Sequence, residues 1–357
     1  MVGPAQRKPG RQELVQTLHA HLRHWAQDAP LRLAIGQTVE AIAGAAASLS
    51  DLIAQGPLAG ALHAIVGGNA DGDAQKALDV AADGLFLRAL AQTPVAVYAS
   101  EENEAPVLLQ AGAPLAVTID PLDGSSNIEA NLSIGTIFGI LPAPSAMDPA
   151  AACLQPGSAQ LAAGFVIYGP RTELVLTLGE GALGFTLDRR TGTFHLTRPV
   201  VRIAEGRREY AINASNYRHW EEPVRTYIDD CLAGEEGPRG SDFNMRWAAS
   251  LVAEAFRILE RGGIFLYPRD RRPSYAQGRL RLVYEANPLA FLVEAADGAA
   301  TDGERRILDL QPEQLHQRTP LVFGSRDKVA RIADYHNGTL PMAERSPLFG
   351  RRGLFRI

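Results

Sequence analysis

Apolar residues in the first quarter of the chain recur at helical spacing. Over residues 31–56 (LRLAIGQTVEAIAGAAASLSDLIAQG) they repeat every three or four positions and stop at Gly56, which predicts one long helix. A second helical pattern covers residues 75–93, with Leu78, Ala82, Leu85 and Leu90 on one side. Between them GALHAIVGGNADGDAQK, with Gly67, Gly68 and Gly72, predicts a mobile loop. From residue 94 the period shortens. PVAVYASEEN and PLAVTIDPLDG are short apolar runs ending in acids, the pattern of buried strands that deliver carboxylates where α/β sheets commonly place ligands. GTIFGIL, AAGFVIYG, TELVLTLG, GALGFTLD and GTFHLT follow, punctuated by turns, so this sheet is predicted to be largely antiparallel. Beyond a break near residues 200–210, helices over 221–233, 246–261, 289–296 and 326–336 alternate with strands over 264–267, 280–285 and 320–324, the pattern of an α/β sandwich. The expected organisation is a loose arm over 1–30, domains over 31–205 and 206–340, and a tail over 341–357.

A chain of 357 residues is too long for one ordinary core, which agrees with two domains or one unit with two lobes. Hydrophobic residues make up 46% and charged residues 21%, a globular profile. A net charge of -5 argues against a nucleic-acid partner, although a local arginine cluster can still attract a small anion. Cys153 and Cys231 are far apart and lack zinc spacing, so two free thiols in a reducing cytoplasm are expected. No run approaches the roughly 18 apolar residues of a membrane span. The basic start, MVGPAQRKPGRQELV, has no apolar run behind it, so a loose N-terminal arm rather than a secretory signal is expected.

The densest chemical signal is Asp120-Pro121-Leu122-Asp123-Gly124-Ser125-Ser126-Asn127. Pro121 restricts both itself and Asp120, so the chain turns as the strand ends and two acids can face one cation. Gly124 permits positive φ, and the Gly-Ser-Ser amides can form a nest for phosphate oxygens. An ordinary capped turn explains two acids, but not two acids beside an anion nest. Glu101-Glu102 closes the preceding strand; taken alone it is more simply a solvated acidic loop with Glu104. Asp73 and Asp79, in GDAQKALDV, form a third acidic element; the plain alternative to catalysis is helix capping for Asp79 and an ordinary loop position for Asp73. Downstream, GRLRLVYEANP places Arg279 and Arg281 on one strand face, with Glu285 at the strand's end. Gly179–Gly184 satisfies GxGxxG, but strand-like residues follow, which makes it a hairpin turn. His195, His219 and His316 have no mutual metal spacing.

Carboxylates without His or Cys partners suit Mg²⁺, or else Mn²⁺. Acids gathered together repel one another unless cations lie between them, and two or more such ions clamp a phosphoryl group. Arginines neutralise a second phosphate and fix its pose. The chemistry expected is metal-assisted hydrolysis of a phosphomonoester.

DPLDGSSN, ASEEN, GDAQKALDV, GGIFLYP, GRLRLVYEANP and the HQR of residues 316–318 together resemble class I fructose-1,6-bisphosphatase, from about residue 32 to about residue 335. The resemblance implies a layered αβαβα sandwich, a metal-binding catalytic domain over 31–205, a sugar-phosphate-binding domain over 206–340 and a homotetramer. It implies metal ligation by Glu101, Asp120, Asp123, Glu285 and the Leu122 carbonyl, with Asp73 contacting a further ion from a closing loop. Glu102 and Asp79 would orient and deprotonate the attacking water. Gly124, Ser125 and Ser126 would hold the 1-phosphate. Asn213, Tyr267, Arg279 and, from a neighbouring subunit, Arg246 would hold the 6-phosphate, with Arg281 between the two phosphates. Three alternatives stay open: a dual fructose-1,6-/sedoheptulose-1,7-bisphosphatase, an inositol-phosphatase-like enzyme, and a catalytically dead sugar-phosphate sensor.

Two departures from the family pattern stand in the phosphate pocket, where Arg279 replaces a common Lys and Trp247 a common Tyr. A third lies ahead of the DPLDG strand. Gly112-Ala113-Pro114-Leu115 stands where AMP-regulated members carry a Lys-Tyr pair, and no Thr-Gly-Glu precedes the first long helix. AMP inhibition is therefore expected to be weak or absent. In a thermal-shift titration AMP should leave the unfolding temperature unchanged; tight stabilisation would contradict this expectation.

Overall fold

The computed structural model describes residues 16–60, 64–68, 74–144 and 148–340. The chain begins with helices Leu18–Ala26 (α1) and Pro30–Gln55 (α2). The first 30 residues are thus not all arm. Thr17 caps α1 through its hydroxyl, and Leu18, Leu22 and Ala26 are buried on one face. His19, His21, Arg23 and His24 between these three positions hide their i, i+4, i+8 spacing in the sequence.

The described parts of the glycine-rich segment form a two-stranded antiparallel ladder, Ile65–Gly68 (β1) with Ala74–Lys76 (β2). Helix Ala77–Leu90 (α3) follows. Next come Val95–Ser100 (β3), Val107–Leu108 (β4), Leu115–Asp123 (β5) and Ile134–Pro142 (β6). After the short helix Pro149–Cys153 (α4) come Ala162–Tyr168 (β7), Thr172–Thr177 (β8), Ala182–Asp188 (β9) and Thr193–Val201 (β10). These strands build an eight-stranded sheet in the order β10-β9-β8-β7-β6-β5-β3-β4. As predicted, its pairings are antiparallel, except that β3 and β5 run parallel. Gly179 and Gly181 have φ of 98° and 67° in the β8–β9 turn, so the GxGxxG run is indeed a hairpin.

The second half comprises Glu209–Ala211 (β11), Glu222–Leu232 (α5), Asn244–Met245 (β12), Leu251–Arg261 (α6) and Ile264–Tyr267 (β13). Leu280–Arg281 (β14), Asn287–Ala295 (α7), Gly298–Thr301 (β15), Arg318–Thr319 (β16), Leu321–Ser325 (β17) and Arg326–His336 (α8) complete it. Five of these strands form a mixed sheet, β12-β11-β13-β17-β15.

Apolar faces stack these elements into five layers. Helices α1–α3 bury Val39, Leu49 and Phe86 with Tyr98, Phe138 and Phe185 of the large sheet. On its other face Ile137, Phe165 and Val175 pack with Val252 and Ile258 of α6, Leu289 and Leu292 of α7, and Phe265 and Phe323 of the smaller sheet. Tyr227 of α5 and Ile332 of α8 cover Ile264, Leu266 and Val322 on the outside. This is the expected αβαβα sandwich.

Two predicted elements differ. The strand expected over 280–285 is strand only at Leu280–Arg281, and Leu282–Ala286 form a π-helical turn running into α7. All five residues of that turn are buried, so apolar neighbours on every side erased the periodicity that separates strand from helix. The helix expected from 246 begins at Leu251, because Ala249 takes a left-handed φ of 55° and Ser250 caps the helix.

Gly135 of β6 is where α6 meets the large sheet. A Cβ there would lie 2.3 Å from the Val166 carbonyl oxygen and 2.6 Å from a Val252 methyl. Gly135→Ala should therefore destabilise the fold by about 1–3 kcal/mol, as overpacking does. Urea unfolding checks this; an unchanged midpoint would mean that α6 can move aside.

Candidate active site

Parallel pairing of β3 and β5 puts their C-terminal ends side by side. Ser100 is in register with Ile119, and the Glu101 N–H donates to the Ile119 carbonyl at 3.0 Å, so Glu101 emerges next to Asp120. Residues three apart on a regular strand point to opposite faces. Here the register of β5 against β6 breaks between Asp120 and Asp123, and the irregularity turns both acids to one place. The Leu122 N–H donates to Asp120 Oδ1 at 2.9 Å, and the Thr136 hydroxyl holds the Pro121 carbonyl at 2.8 Å.

The π-turn supplies the third carboxylate. Oxygens of Asp120, Asp123 and Glu285 lie within 4.8 Å of one another, and all three residues are buried. The Arg281 N–H donates to Glu285 Oε2, while its guanidinium Nε lies 3.5 Å from Glu101 Oε1. Asp123 Oδ2 accepts from the Val252 N–H at 3.0 Å, at the start of α6. An isolated carboxylate would lose its charge in such a site, and here burial and like charges act together. Burial holds Asp120 well above the carboxylate range, helped by Glu101, Asp123 and Glu285. Glu285 is raised well above its ordinary value by burial, then by Glu101 and Asp123. Burial lifts Asp123 to about 7, opposed by the backbone N–H groups of α6. The donors are all oxygens, so the cluster fits a hard divalent cation, whose charge would offset the repulsion.

Asp79, at the third position of α3, is buried. Its Oδ2 accepts the Lys76 N–H at 2.7 Å, the capping role weighed above. Burial still raises its pKa, partly offset by that bond and by Ser125. Catalysis and capping are therefore not exclusive. Lys76 also reaches across to the Ser125 carbonyl with Nζ at 3.1 Å. Glu102 sits in the turn after β3, its N–H on Ser100 Oγ at 3.2 Å, and its charge adds to the upward shift of Asp120. Gly124 has φ of 76°, and Ser125–Asn127 form a single 3-10 turn, with Ser126 exposed. Asp73 lies outside the described residues.

A small pocket of mixed lining contains Asn213, Asn216, Tyr267 and Tyr275 together with Ile212, Trp220 and Leu266. Tyr267 is shifted upward mainly by burial, and it feels the charges of Arg279, Tyr275, Glu285 and Arg272. The Tyr275 ring lies 3.8 Å from the Arg272 guanidinium carbon and 4.8 Å from that of Arg279, and its hydroxyl accepts from Arg279 at 2.6 Å. Of the two arginines of GRLRL, Arg281 lies in the two-residue β14 with its Nε 3.5 Å from Glu101 Oε1, and Arg279, just before that strand, donates to the Tyr275 hydroxyl. Arg246 is exposed at the edge of the smaller sheet, its N–H on the Tyr210 carbonyl at 2.8 Å. Trp247 stacks on Phe265 with ring centres 6.0 Å apart. Sequence reasoning missed Tyr275, Arg272 and Lys76. The spacing of arginines and tyrosine in RRPSYAQGR was the available signal for the first two.

Residues 24–199 match the family model described as the fructose-1-6-bisphosphatase N-terminal domain, and residues 203–337 match that of the C-terminal domain. A class 1 fructose-1,6-bisphosphatase of Rhizobium meliloti is 58% identical, over 95% of this chain and 99% of its own length. One of Rhodopseudomonas palustris is 54% identical, over 96% and 98%. The crystal structure of Leishmania major fructose-1,6-bisphosphatase in holo form superposes with a TM-score of 0.83 at 35% identity, covering 90% of this chain and 99% of that one. Fold, acid cluster and matches together define a metal-dependent phosphatase. The chain belongs to the class 1 fructose-1,6-bisphosphatase family.

An acid whose pKa rises on folding holds its proton more tightly when folded. With Asp123 moving from 3.8 to about 7, its contribution to stability falls as pH climbs through that window. Protons and cations compete for the same oxygens. The rise in melting temperature on replacing EDTA with Mg²⁺ should therefore be small at pH 5 and larger at pH 8. A rise that is equal at both, or absent, would count against a cation site here.

Proposed function

We propose that this chain hydrolyses the 1-phosphate of fructose 1,6-bisphosphate, giving fructose 6-phosphate and phosphate, in the cytoplasm and with Mg²⁺ as the cation. The observation that carries this is the convergence of Asp120, Asp123 and Glu285 within 4.8 Å, and it is supported by the pair of arginines, Arg272 and Arg279, gathered on the Tyr275 ring. In this reading Glu101, Asp120, Asp123, Glu285 and the Leu122 carbonyl hold two or more ions, Mn²⁺ being the alternative, and Asp73 contributes to a further one. Bound there, the ions supply charge neutralisation for the phosphoryl oxygens and a lowered pKa for water.

The remaining work falls to the chain itself. Gly124, Ser125 and Ser126 orient the reacting phosphate through the amides of their turn. Glu102 and Asp79 position the attacking water and accept its proton; the upward shift of Asp79 makes it a stronger base than a solvated aspartate. Arg281 bridges the two phosphate positions. Asn213, Tyr267 and Arg279 hold the 6-phosphate, with Tyr275 setting the Arg279 fork through its hydroxyl. Arg246, exposed in the single chain, completes the pocket of a neighbouring subunit in a homotetramer. The 31–205 half carries the metal chemistry and the 206–340 half the sugar phosphate.

Phosphate release from fructose 1,6-bisphosphate, sedoheptulose 1,7-bisphosphate and inositol 1-phosphate, each with Mg²⁺ or EDTA, tests the proposal. Fructose 1,6-bisphosphate should be the best substrate, and EDTA should abolish turnover. Glu102→Gln should lower kcat by about 100-fold or more with KM little changed. Inositol phosphate as the preferred substrate, or turnover persisting in EDTA, would overturn it.

A further inference from the structure

The segment from Arg246 to Val252 joins the smaller sheet to the carboxylate cluster, and it is tethered at both ends. At its start, Asn244–Met245 pair in parallel with Glu209–Tyr210, and the Arg246 N–H continues that ladder onto Tyr210. At its end, the Val252 N–H is on Asp123 Oδ2, and the Asn127 side-chain amide donates to the Ala249 carbonyl at 2.7 Å. The middle is exposed at Ala248 and Ala249, and Ala249 holds a φ of 55° that an alanine adopts only under constraint.

That constraint comes from beneath. Glu254, the fourth residue of α6, is fully buried, and its Oε1 accepts the Ala248 N–H at 2.5 Å. Its Oε2 accepts from Arg257 Nε and Nη2 at 3.1 and 2.9 Å. Arg257 in turn donates to Glu209 Oε2 at 3.1 Å, and Glu209 lies in β11 directly opposite Asn244. One carboxylate thus ties the segment's backbone to the helix that holds Asp123, and through Arg257 to the strand from which Arg246 leaves. A buried carboxylate whose two oxygens serve two different elements fixes their separation, because moving either one would leave a buried charge short of a donor.

We infer that Glu254 is a positioning residue that sets the pose of Arg246, and so the affinity for the substrate's remote phosphate, without acting on the phosphate being cleaved. The inference rests on the 6-phosphate role of Arg246 proposed above. Two conservative replacements separate reach from charge. Glu254→Gln keeps an oxygen within reach of the Ala248 N–H but gives up the ion pair with Arg257. Glu254→Asp keeps the charge but withdraws the oxygen by one methylene.

Steady-state kinetics on fructose 1,6-bisphosphate and on p-nitrophenyl phosphate, which lacks a remote phosphate, provide the test. Arg246→Ala is the control, and melting temperatures are measured alongside. The expected result is that Glu254→Asp raises KM for the bisphosphate about tenfold and leaves p-nitrophenyl phosphate turnover within about twofold. Glu254→Gln should melt lower yet keep the bisphosphate KM. If both variants lose the two activities in proportion, or if only Glu254→Gln raises KM, Glu254 serves stability or charge and the inference fails. If Arg246→Ala itself leaves KM unchanged, the assigned role of Arg246 fails instead. A Glu254→Asp effect on KM alongside an inert Arg246→Ala would then show that Glu254 acts through some other residue, which also overturns the inference.

Discussion

The site depends on a single parallel pairing in an otherwise antiparallel sheet. With β3 and β5 running the same way, two strands end together and release Glu101 and Asp120 at one spot. An antiparallel pairing would send those acids to opposite ends of the sheet. The break in register after Asp120 adds Asp123, and the π-turn ahead of α7 adds Glu285. Every one of these devices pushes like charges together in a buried place, which is unfavourable for folding. In the proposed mechanism, that cost falls at the point where concentrated negative charge would hold the cations. The surrounding donors moderate it: the Leu122 N–H on Asp120, the Val252 N–H on Asp123 and the Arg281 N–H on Glu285.

Local patterning made much of this legible. The helix over 31–56, the acid-tipped strands and the hairpin series are visible because each has a period and a stop, and the structure places them within a few residues of expectation. The cluster of Asp120 and Asp123 was visible as a motif, since Pro121 and Gly124 mark the turn that brings the acids round. What could not be seen was set by tertiary context. Leu282–Ala286 is buried on all sides, so nothing in its sequence distinguishes a strand from a π-turn. Tyr275 lines its pocket and gathers two arginines on its ring, a relation created by the bend of the chain. The first helix was missed because its apolar stripe is only three residues long.

The family resemblance supplied roles that periodicity never could, and it also showed where this chain differs. Arg279 is one such place. Its planar fork donates to the Tyr275 hydroxyl while the cation lies against the same ring, an arrangement that an ammonium group could not reproduce in full. Trp247 is another, its indole stacked flat on Phe265 within the apolar wall.

The shared middle layer has a consequence for how the molecule can be divided. Helices α6 and α7 come from the second half of the chain, yet they cover Ile137, Phe165 and Val175, which belong to the first. The break near residue 205 is a seam in the sequence but not in the packing. Residues 1–205 expressed alone would carry a wide sheet with one bare oily side, and the excised remainder would carry the matching helices. Each fragment would be prone to clump, and mixing them early in refolding would be the way to recover either.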